Sequence, residues 1–365
     1  MMIIGKGRAP GKVILFGEHA VVYGRPALAA PVTQVAAEAV VAQGPRGAGL
    51  TVWAEDLGRQ VAVRDASPDD PLAAAARLTL AHLGLAEPDW RVTVRSTIPI
   101  ASGMGSGAAV SAAIIRALAD ATNTQYPIPH LSLSPDAVSA LVYEVEKLHH
   151  GAPSGVDNTV IAYGQPVYFV RGQPPQPFAI GRPFMLAIAD SGIASPTRIT
   201  VGEVRRAWEQ APARFEALFD RIAAIVEAAR SAIAAGEPED LGSLMDQNHA
   251  LLQEIGVSCA ELDALATAAR AAGALGAKLS GGGRGGNLIA LVSPESAAAG
   301  AAALRQAGAV GVIVTTVGGK TRGHRSRGAL KRAGHTAAEA VCPVDLTYVE
   351  IVMDSQGSAQ PPACR

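Results

Sequence analysis

Cysteine is scarce in this sequence, and neither sign of charge is in marked excess. The 365 residues include three cysteines, Cys259, Cys342 and Cys364, and their spacing fits neither a disulfide framework nor a set of metal ligands. The formal net charge is −1, so the chain lacks the broad basic surface that nucleic-acid binding requires. We therefore expect a protein of a reducing compartment whose main partner is a small molecule.

Long uninterrupted apolar runs are also missing. The N-terminus enters directly into GKGRAPGKVILFGEH, which contains no apolar core of signal-peptide length. The aliphatic region between Val21 and Val41 is broken by prolines and by charged residues, so it does not read as a membrane span. These features predict a soluble, cytoplasmic protein that has no membrane partner.

What the chain does have is enough length and apolar content for two packed lobes. Strand-like and helix-like segments alternate without an internal repeat, which indicates an α+β protein. We expect an N-terminal lobe over 1–175 and a C-terminal lobe over 176–318, with the proline-rich Gln173–Pro177 as the linker. The basic stretch 319–365 is either a mobile, solvated tail, which we favour, or a binding arm. Thr159–Val170 reads as a strand.

Four stretches bear residue types that phosphoryl transfer uses. They are APGKVILFGEHAVVYGRPAL (9–28), the first glycine loop IPIASGMGSGAA (98–109), EKLHHGAPSGVDN (146–158) and KLSGGGRGG (278–286), which contains the second glycine loop, Ser280–Gly286. The reaction needs N–H donors around phosphates, a ligand for a metal, a cation and a group that manages the acceptor's proton. Each stretch alone has a plain structural explanation as a turn or a solvated charge. Neither loop has the Walker, protein-kinase or Rossmann spacing, but the combination favours a phosphotransferase.

In order and spacing, these motifs resemble the GHMP small-molecule kinases, and the resemblance spans roughly residues 9–317. It implies an α+β GHMP kinase fold, with an N-terminal lobe like the second domain of ribosomal protein S5 and a ferredoxin-like C-terminal lobe. It implies that ATP, Mg²⁺ and an alcohol bind between the lobes, and, by analogy, that the protein forms a homodimer. The two longest stretches favour mevalonate, phosphorylated at its 5-hydroxyl for isoprenoid synthesis. Phosphomevalonate, homoserine or another acceptor, and a non-catalytic binding role, remain alternatives.

The resemblance also implies roles for individual residues. Asp157 matches the catalytic aspartate that takes the proton from the acceptor's hydroxyl, and Lys12 matches the lysine beside it. Glu146 matches the magnesium-binding glutamate, with Glu144 as the competitor if the register is shifted. Glu18, His19 and Thr197 are expected near the acceptor. The expected ATP contacts are Ile100, Ala101, Ser102, Gly103, Met104, Gly105, Ser106, Gly107, Ala108, Gly281, Gly282 and Gly283.

The sequence departs from the family pattern in both glycine loops. Gly107 stands where the family commonly has a serine associated with the metal, so Ser106 or water supplies that oxygen, or the metal rests mainly on Glu146 and the phosphates. Arg284 stands among the glycines of the second loop. It is either an additional cation for the phosphates or a loop-tip residue in solvent, and crowding of the backbone favours the second.

Overall fold

A computed structural model of the chain describes residues 2–100, 102–126, 133–150, 153–195 and 197–318. The strands are β1 Ile3–Phe16, β2 Ala27–Gln43, β3 Thr51–Ala54, β4 Arg59–Ala62, β5 Trp90–Ser96, β6 Val167–Phe169, β7 Gln176–Pro177, β8 Phe184–Asp190, β9 Gly276–Ser280, β10 Asn287–Val292 and β11 Gly311–Val317. The α-helices are α1 Pro71–His82, α2 Ser106–Gln125, α3 Pro135–His150, α4 Val156–Tyr163, α5 Thr197–Gln210, α6 Pro212–Ala235, α7 Leu241–Ile255, α8 Ala260–Ala271 and α9 Ala297–Gln306. This mixture of elements confirms the α+β class. Among the described residues, no helix is both long and apolar enough to cross a bilayer.

The first sheet contains β1 to β7. Its order is β4-β3-β5-β2-β6-β7, and β1 pairs with the long strand β2. All neighbours are antiparallel except β3 and β5. Helices α1 to α4 pack with one another, and α2 lies against β1, β2 and β5. The sheet extends just past residue 175, because Gln176–Pro177 pairs with β6 instead of forming a free linker.

The second sheet contains β8 to β11 in the order β11-β8-β10-β9, and all its pairs are antiparallel. Helices α7, α8 and α9 pack against its strands. Strand β10 is buried along its whole length because it lies between β8 and β9 beneath those helices. The two sheets thus use separate parts of the chain.

Glycine allows β1 to approach helix α2 closely. A Cβ on Gly5 would lie 2.4 Å from the Ala117 carbonyl oxygen, and one on Gly7 would lie 2.1 Å from the Ala113 carbonyl oxygen. Both distances are far below van der Waals contact, so neither position tolerates a side chain. The close packing fixes the height of α2 over the sheet, and with it the position of the helix N-terminus.

The predicted strand Thr159–Val170 is wrong over its first half. The chain forms helix α4 up to Tyr163 and only then strand β6. Gly155, at φ 92°, precedes the helix, and the Thr159 hydroxyl donates a hydrogen bond to the Gly155 carbonyl oxygen. A β-branched, apolar run favours a strand locally, but burial of the α4 side chains against α2 and α3 outweighs that preference.

Polar contacts join the two sheets. The Ser280 hydroxyl donates to the Ile14 carbonyl oxygen and accepts a hydrogen bond from the Ile14 N–H, at 2.9 and 3.0 Å. The Asn287 amide donates to the Ser102 carbonyl oxygen at 2.6 Å. These contacts hold the two glycine loops side by side. The predicted tail, 319–365, lies outside the described residues.

Candidate active site

A cleft of about 500 Å³ brings together all four stretches that the sequence singled out. Lys12, Glu18 and His19 come from β1 and the turn after it, and Glu146 and Asp157 come from α3 and α4. The remaining predicted residues on its wall are Gly103, Gly105, Ser106, Gly107, Ala108, Thr197, Gly281 and Gly282. The fold therefore assembles carboxylates, a lysine and two glycine loops around one space.

Lys12 and Asp157 form an ion pair in the cleft. The Lys12 Nζ lies 2.8 Å from Asp157 Oδ1, and the lysine side chain is 4% exposed whereas the aspartate is 30% exposed. The register of β1 against β2 shifts between Pro10 and Gly11, and the Lys12 N–H donates to the Met104 carbonyl oxygen at 3.0 Å. Lys12 is thus anchored to the first glycine loop, and its pairing leaves Asp157 accessible from the cleft.

The first glycine loop ends at the N-terminus of α2. Gly105 precedes the helix at φ 71°, and no side chain among the described residues caps it. The N–H groups of Ser106, Gly107 and Ala108 belong to the first helical turn, where they have no partner within the helix. Because these residues line the cleft, the helix presents unpaired donors and the positive end of its dipole to it. Such a terminus is suited to binding phosphate.

Glu146 faces the same helix end. A Cβ on Gly107 would lie 3.3 Å from Glu146 Oε1, so the carboxylate lies directly beside the glycine. Burial, followed by the negative charge of Asp157, raises the pKa of Glu146 to about 7, and Lys12 opposes this shift. Glu144, the alternative, is instead half exposed and pairs with Lys147 at 2.7 Å. The geometry therefore favours Glu146 as the carboxylate of the site.

The predicted acceptor residues occupy another part of the wall. Glu18 is fully buried and forms an ion pair with Lys278 of β9. His19, at φ 61°, donates a hydrogen bond from Nε2 to the Gly282 carbonyl oxygen at 3.0 Å. Burial lowers the pKa of His19 to about 4, so the ring is neutral near pH 7. Thr197 begins α5, and its hydroxyl lies 3.5 Å from that of Ser195.

The second glycine loop connects β9 to β10. Gly281 and Gly282 line the cleft, whereas Gly283 packs against the chain at Val257, where a Cβ would lie 2.0 Å from the carbonyl oxygen. Arg284 pairs with Glu203 of α5, and its guanidinium donates to the Gly256 carbonyl oxygen at 3.3 Å. Arg284 does not line the cleft. Arg284 therefore lies away from the cleft, and it is held in an ion pair with Glu203 and is not free in solvent.

Some predicted ATP contacts lie away from the cleft wall. Ile100 is 69% exposed at the start of the first glycine loop, and Ala101 lies outside the described residues. Ser102 and Met104 are buried, with the Ser102 hydroxyl donating to the Pro99 carbonyl oxygen. The sequence interpretation missed Lys278 as a partner of this region. Its one available signal was a charged residue between apolar ones in a buried strand.

Comparison with known proteins agrees with this architecture. The family model for the GHMP kinases N terminal domain matches residues 71–165. The model for the GHMP kinases C terminal region matches residues 229–310. Relatives about 35% identical align over 84% of the chain. The chain belongs to the GHMP kinase family.

Within that family, the similar proteins are mevalonate kinases. The one from Thermococcus sibiricus is 35% identical over 330 residues, covering 84% of this chain and 94% of its own. The one from Pyrococcus furiosus is 34% identical over 331 residues, with the same coverage. The crystal structure of L. major mevalonate kinase in complex with R-mevalonate has a TM-score of 0.73 and 33% identity, and it covers 86% of this chain and 95% of its own.

Proposed function

We propose that this protein transfers the γ-phosphoryl group of ATP to the 5-hydroxyl of mevalonate, giving ADP and 5-phosphomevalonate for isoprenoid synthesis. The observation that carries the proposal is the Lys12–Asp157 pair, which shares one cleft with the uncapped N-terminus of α2. The choice of acceptor is supported by relatives named mevalonate kinase that match most of the chain. It is also supported by the similar structure of L. major mevalonate kinase in complex with R-mevalonate.

Asp157 and Lys12 act on the acceptor's hydroxyl. Asp157 is the partly exposed member of the pair, so its carboxylate accepts the proton as the hydroxyl oxygen attacks the γ-phosphorus. Lys12 holds that carboxylate in an ion pair and offsets the negative charge that grows on the transferring phosphoryl group. The bond from the γ-phosphorus to the bridging oxygen breaks as the new phosphorus–oxygen bond forms, and ADP leaves.

The ATP phosphates lie against the first glycine loop. The N–H groups of Ser106, Gly107 and Ala108 donate to phosphate oxygens without any lysine of the Walker type. Gly281 and Gly282 face this loop from the second sheet, and a Cβ on Gly281 would lie 3.8 Å from the Gly103 carbonyl oxygen. The second glycine loop therefore closes the cradle and adds no charge to it.

Mg²⁺ fits the donors that the cleft offers. Among the described residues, no three His, Cys, Asp or Glu side chains form a complete metal cluster. Mg²⁺ normally takes one or two carboxylates together with phosphate oxygens and water, and Glu146, with Ser106 nearby, matches that requirement. Burial beside Asp157 disfavours the ionised form of Glu146, and a cation there would restore it. When bound, Mg²⁺ supplies charge neutralisation on the phosphate oxygens.

The acceptor lies where Glu18, His19 and Thr197 meet the cleft. Neutral His19 and the Thr197 hydroxyl bring polar groups to this wall without adding charge. A phosphorylated acceptor would require additional cations in the cleft. Arg284 is engaged with Glu203 away from the cleft, whereas Arg198 and Arg205 of α5 both line it. The preference for mevalonate over phosphomevalonate is therefore supported by the named relatives and not by the charge of the wall.

A coupled ADP-release assay tests the proposal. Purified protein is given ATP and Mg²⁺ with mevalonate, phosphomevalonate, homoserine or galactose, and Asp157→Asn is the matched inactive control. We expect kcat/KM for mevalonate to exceed that for each other acceptor by at least about a hundredfold. A preference for another acceptor would refute the acceptor assignment and leave the kinase class intact. Absence of ADP release with all four would refute the enzymatic role.

A further inference from the structure

A buried ion pair crosses from the first sheet to the second at the cleft. Glu18, in the turn after β1, pairs through Oε1 with the Lys278 ammonium group of β9. Both side chains are 0% exposed. The Lys278 Nζ also donates to the Leu279 carbonyl oxygen at 2.7 Å. The lysine is thus held by two contacts, and one of them reaches across 260 residues of sequence to a residue of the cleft wall.

Stability alone gives a poor reason for this pair. Taking two charges out of water costs several kcal/mol for each ion, and apolar residues of similar volume often serve as well or better. Burial raises the pKa of Glu18 and lowers that of Lys278, while the attraction between the two groups opposes both shifts. Lys12 adds a weaker attraction for the Glu18 carboxylate. A buried pair of this kind calls for a role that apolar side chains would not fill.

The second carboxylate oxygen of Glu18 indicates what that role is. Glu18 Oε2 is buried and accepts no hydrogen bond from any of the described residues. Glu18 nevertheless belongs to the cleft wall, next to His19 and Lys12. An unpaired buried carboxylate oxygen costs free energy. A group that donates a hydrogen bond to this oxygen removes a large share of that cost. One oxygen is thus occupied by Lys278, and the other has no donor among the described residues.

We propose that Lys278 is a positioning residue for acceptor binding: it holds the Glu18 carboxylate in the orientation in which Oε2 accepts a hydrogen bond from a hydroxyl of the acceptor. This inference rests on the proposed function, which supplies an acceptor with a second hydroxyl besides the one phosphorylated. It assigns Lys278 no contact with ATP or with the reacting atoms. An acceptor that lacks the second hydroxyl leaves Glu18 Oε2 unpaired, so the pair also selects against such compounds.

The main test separates positioning from structural support. Lys278→Met removes the cation, and Glu18→Gln/Lys278→Met removes both charges, so the double variant contains no unpaired buried charge. We expect Lys278→Met to raise the KM for mevalonate at least about tenfold, with the KM for ATP within about twofold. The unfolding temperature should be lower in Lys278→Met than in wild type and should return towards wild type in the double variant. The KM for mevalonate should stay raised in the double variant. Lys278→Arg keeps a cation, so its KM for mevalonate should lie between those of wild type and Lys278→Met.

One control variant helps to define the outcomes. His249→Gln alters a neighbouring polar contact on the same strand, where the Leu279 N–H donates to His249 Nδ1 at 3.2 Å. It should lower stability and leave both KM values unchanged. Equal changes of both KM values in Lys278→Met, or recovery of the KM for mevalonate in the double variant, would overturn the positioning role. Wild-type protein that fails to turn over mevalonate would refute the proposed function itself, so the two failures are distinguishable.

Discussion

The two glycine loops look alike in sequence and differ in their surroundings. The first leads into helix α2 and places unpaired N–H groups beside Lys12 and Glu146. The second joins two strands, and several of its glycines press against backbone: a Cβ on Gly285 would lie 2.6 Å from the Ile193 carbonyl oxygen. The charge of Arg284 is directed to Glu203. The first loop thus presents a helix N-terminus to the cleft, whereas the second reaches the cleft only through Gly281 and Gly282 and otherwise packs against the main chain.

The comparison teaches that glycine content alone does not identify a phosphate site. Glycine is used in the first loop for a left-handed turn at Gly105 that starts a helix. In the second loop, Gly283 and Gly285 also have positive φ, and main-chain segments approach both too closely for side chains. A helix N-terminus and a nearby carboxylate–lysine pair, both specific to the first loop, are what give that loop its chemistry.

The largest expected effect comes from Asp157, the carboxylate beside the first loop. Asp157→Asn removes the proposed proton acceptor and the partner of Lys12, so kcat should fall at least about a hundredfold. ATP affinity, measured by calorimetry, should change less than about threefold. Asp220→Asn, on an exposed carboxylate of α6, is the matched control and should retain normal turnover. Near-normal turnover of Asp157→Asn would contradict a catalytic role for this residue. The proposed difference between the two loops would then lack its carboxylate–lysine pair.

Matched alanine substitutions test the contrast between the loops directly. A Cβ on Gly105 would lie 2.9 Å from Ile161 Cδ1 and 3.2 Å from Lys12 Cγ, so Gly105→Ala should displace Lys12 and lower kcat/KM at least about tenfold. Gly285→Ala should mainly lower the free energy of unfolding, by roughly 2 kcal/mol, because its Cβ meets backbone. Steady-state kinetics and thermal unfolding of both variants provide the measurements. An equal decrease of kcat/KM in Gly105→Ala and Gly285→Ala would contradict the proposed difference between the two loops.

Sequence reasoning identified the members of the site better than their arrangement. Lys12, Glu146 and Asp157 come from three separate motifs, and the structure brings all three to one cleft. Their roles stay predictions, because no ligand contact tests them. Glu144 and Glu146 lie two positions apart on a helix, so their side chains point in different directions, and the sequence left both open.

Features that depend on contacts between distant segments were not accessible from the sequence. The helix α4 was mistaken for a strand because its β-branched residues are buried against other helices. Strand β2 runs without a break through Pro31 and Glu38, and its pairing with β1, β5 and β6 explains how such a strand is held. The Glu18–Lys278 pair joins residues 260 positions apart in the sequence, and a charged residue in an apolar strand, the one local signal for Lys278, does not identify its partner.

A smaller effect is expected at His19, which ties the second loop to the turn after β1. Burial lowers the pKa of His19 from 6.5 to about 4, so below pH 6.5 the unfolded chain binds a proton that the folded protein excludes. The neutral His19 ring therefore costs no stability above pH 6.5. As the pH falls from 6.5 towards 4, the free energy of unfolding decreases by roughly 1–3 kcal/mol because the unfolded chain gains the proton. Chemical unfolding of His19→Gln should show a weaker loss over this range. An unchanged pH dependence would contradict the buried, neutral ring.

The smallest effect is expected at Arg284, and it sharpens the comparison by testing whether the second loop contributes charge to ATP binding. Arg284→Ala removes a partly exposed ion pair with Glu203, so the free energy of unfolding should fall by no more than about 1 kcal/mol. The KM for ATP should stay within about twofold of wild type, because the guanidinium does not line the cleft. Arg182→Ala, which breaks the exposed pair with Glu239, is the matched control and should give a similar loss of stability. A KM for ATP raised tenfold in Arg284→Ala but not in Arg182→Ala would indicate that Arg284 binds the ATP phosphates. It would contradict the conclusion that the second loop contributes no charge to ATP binding.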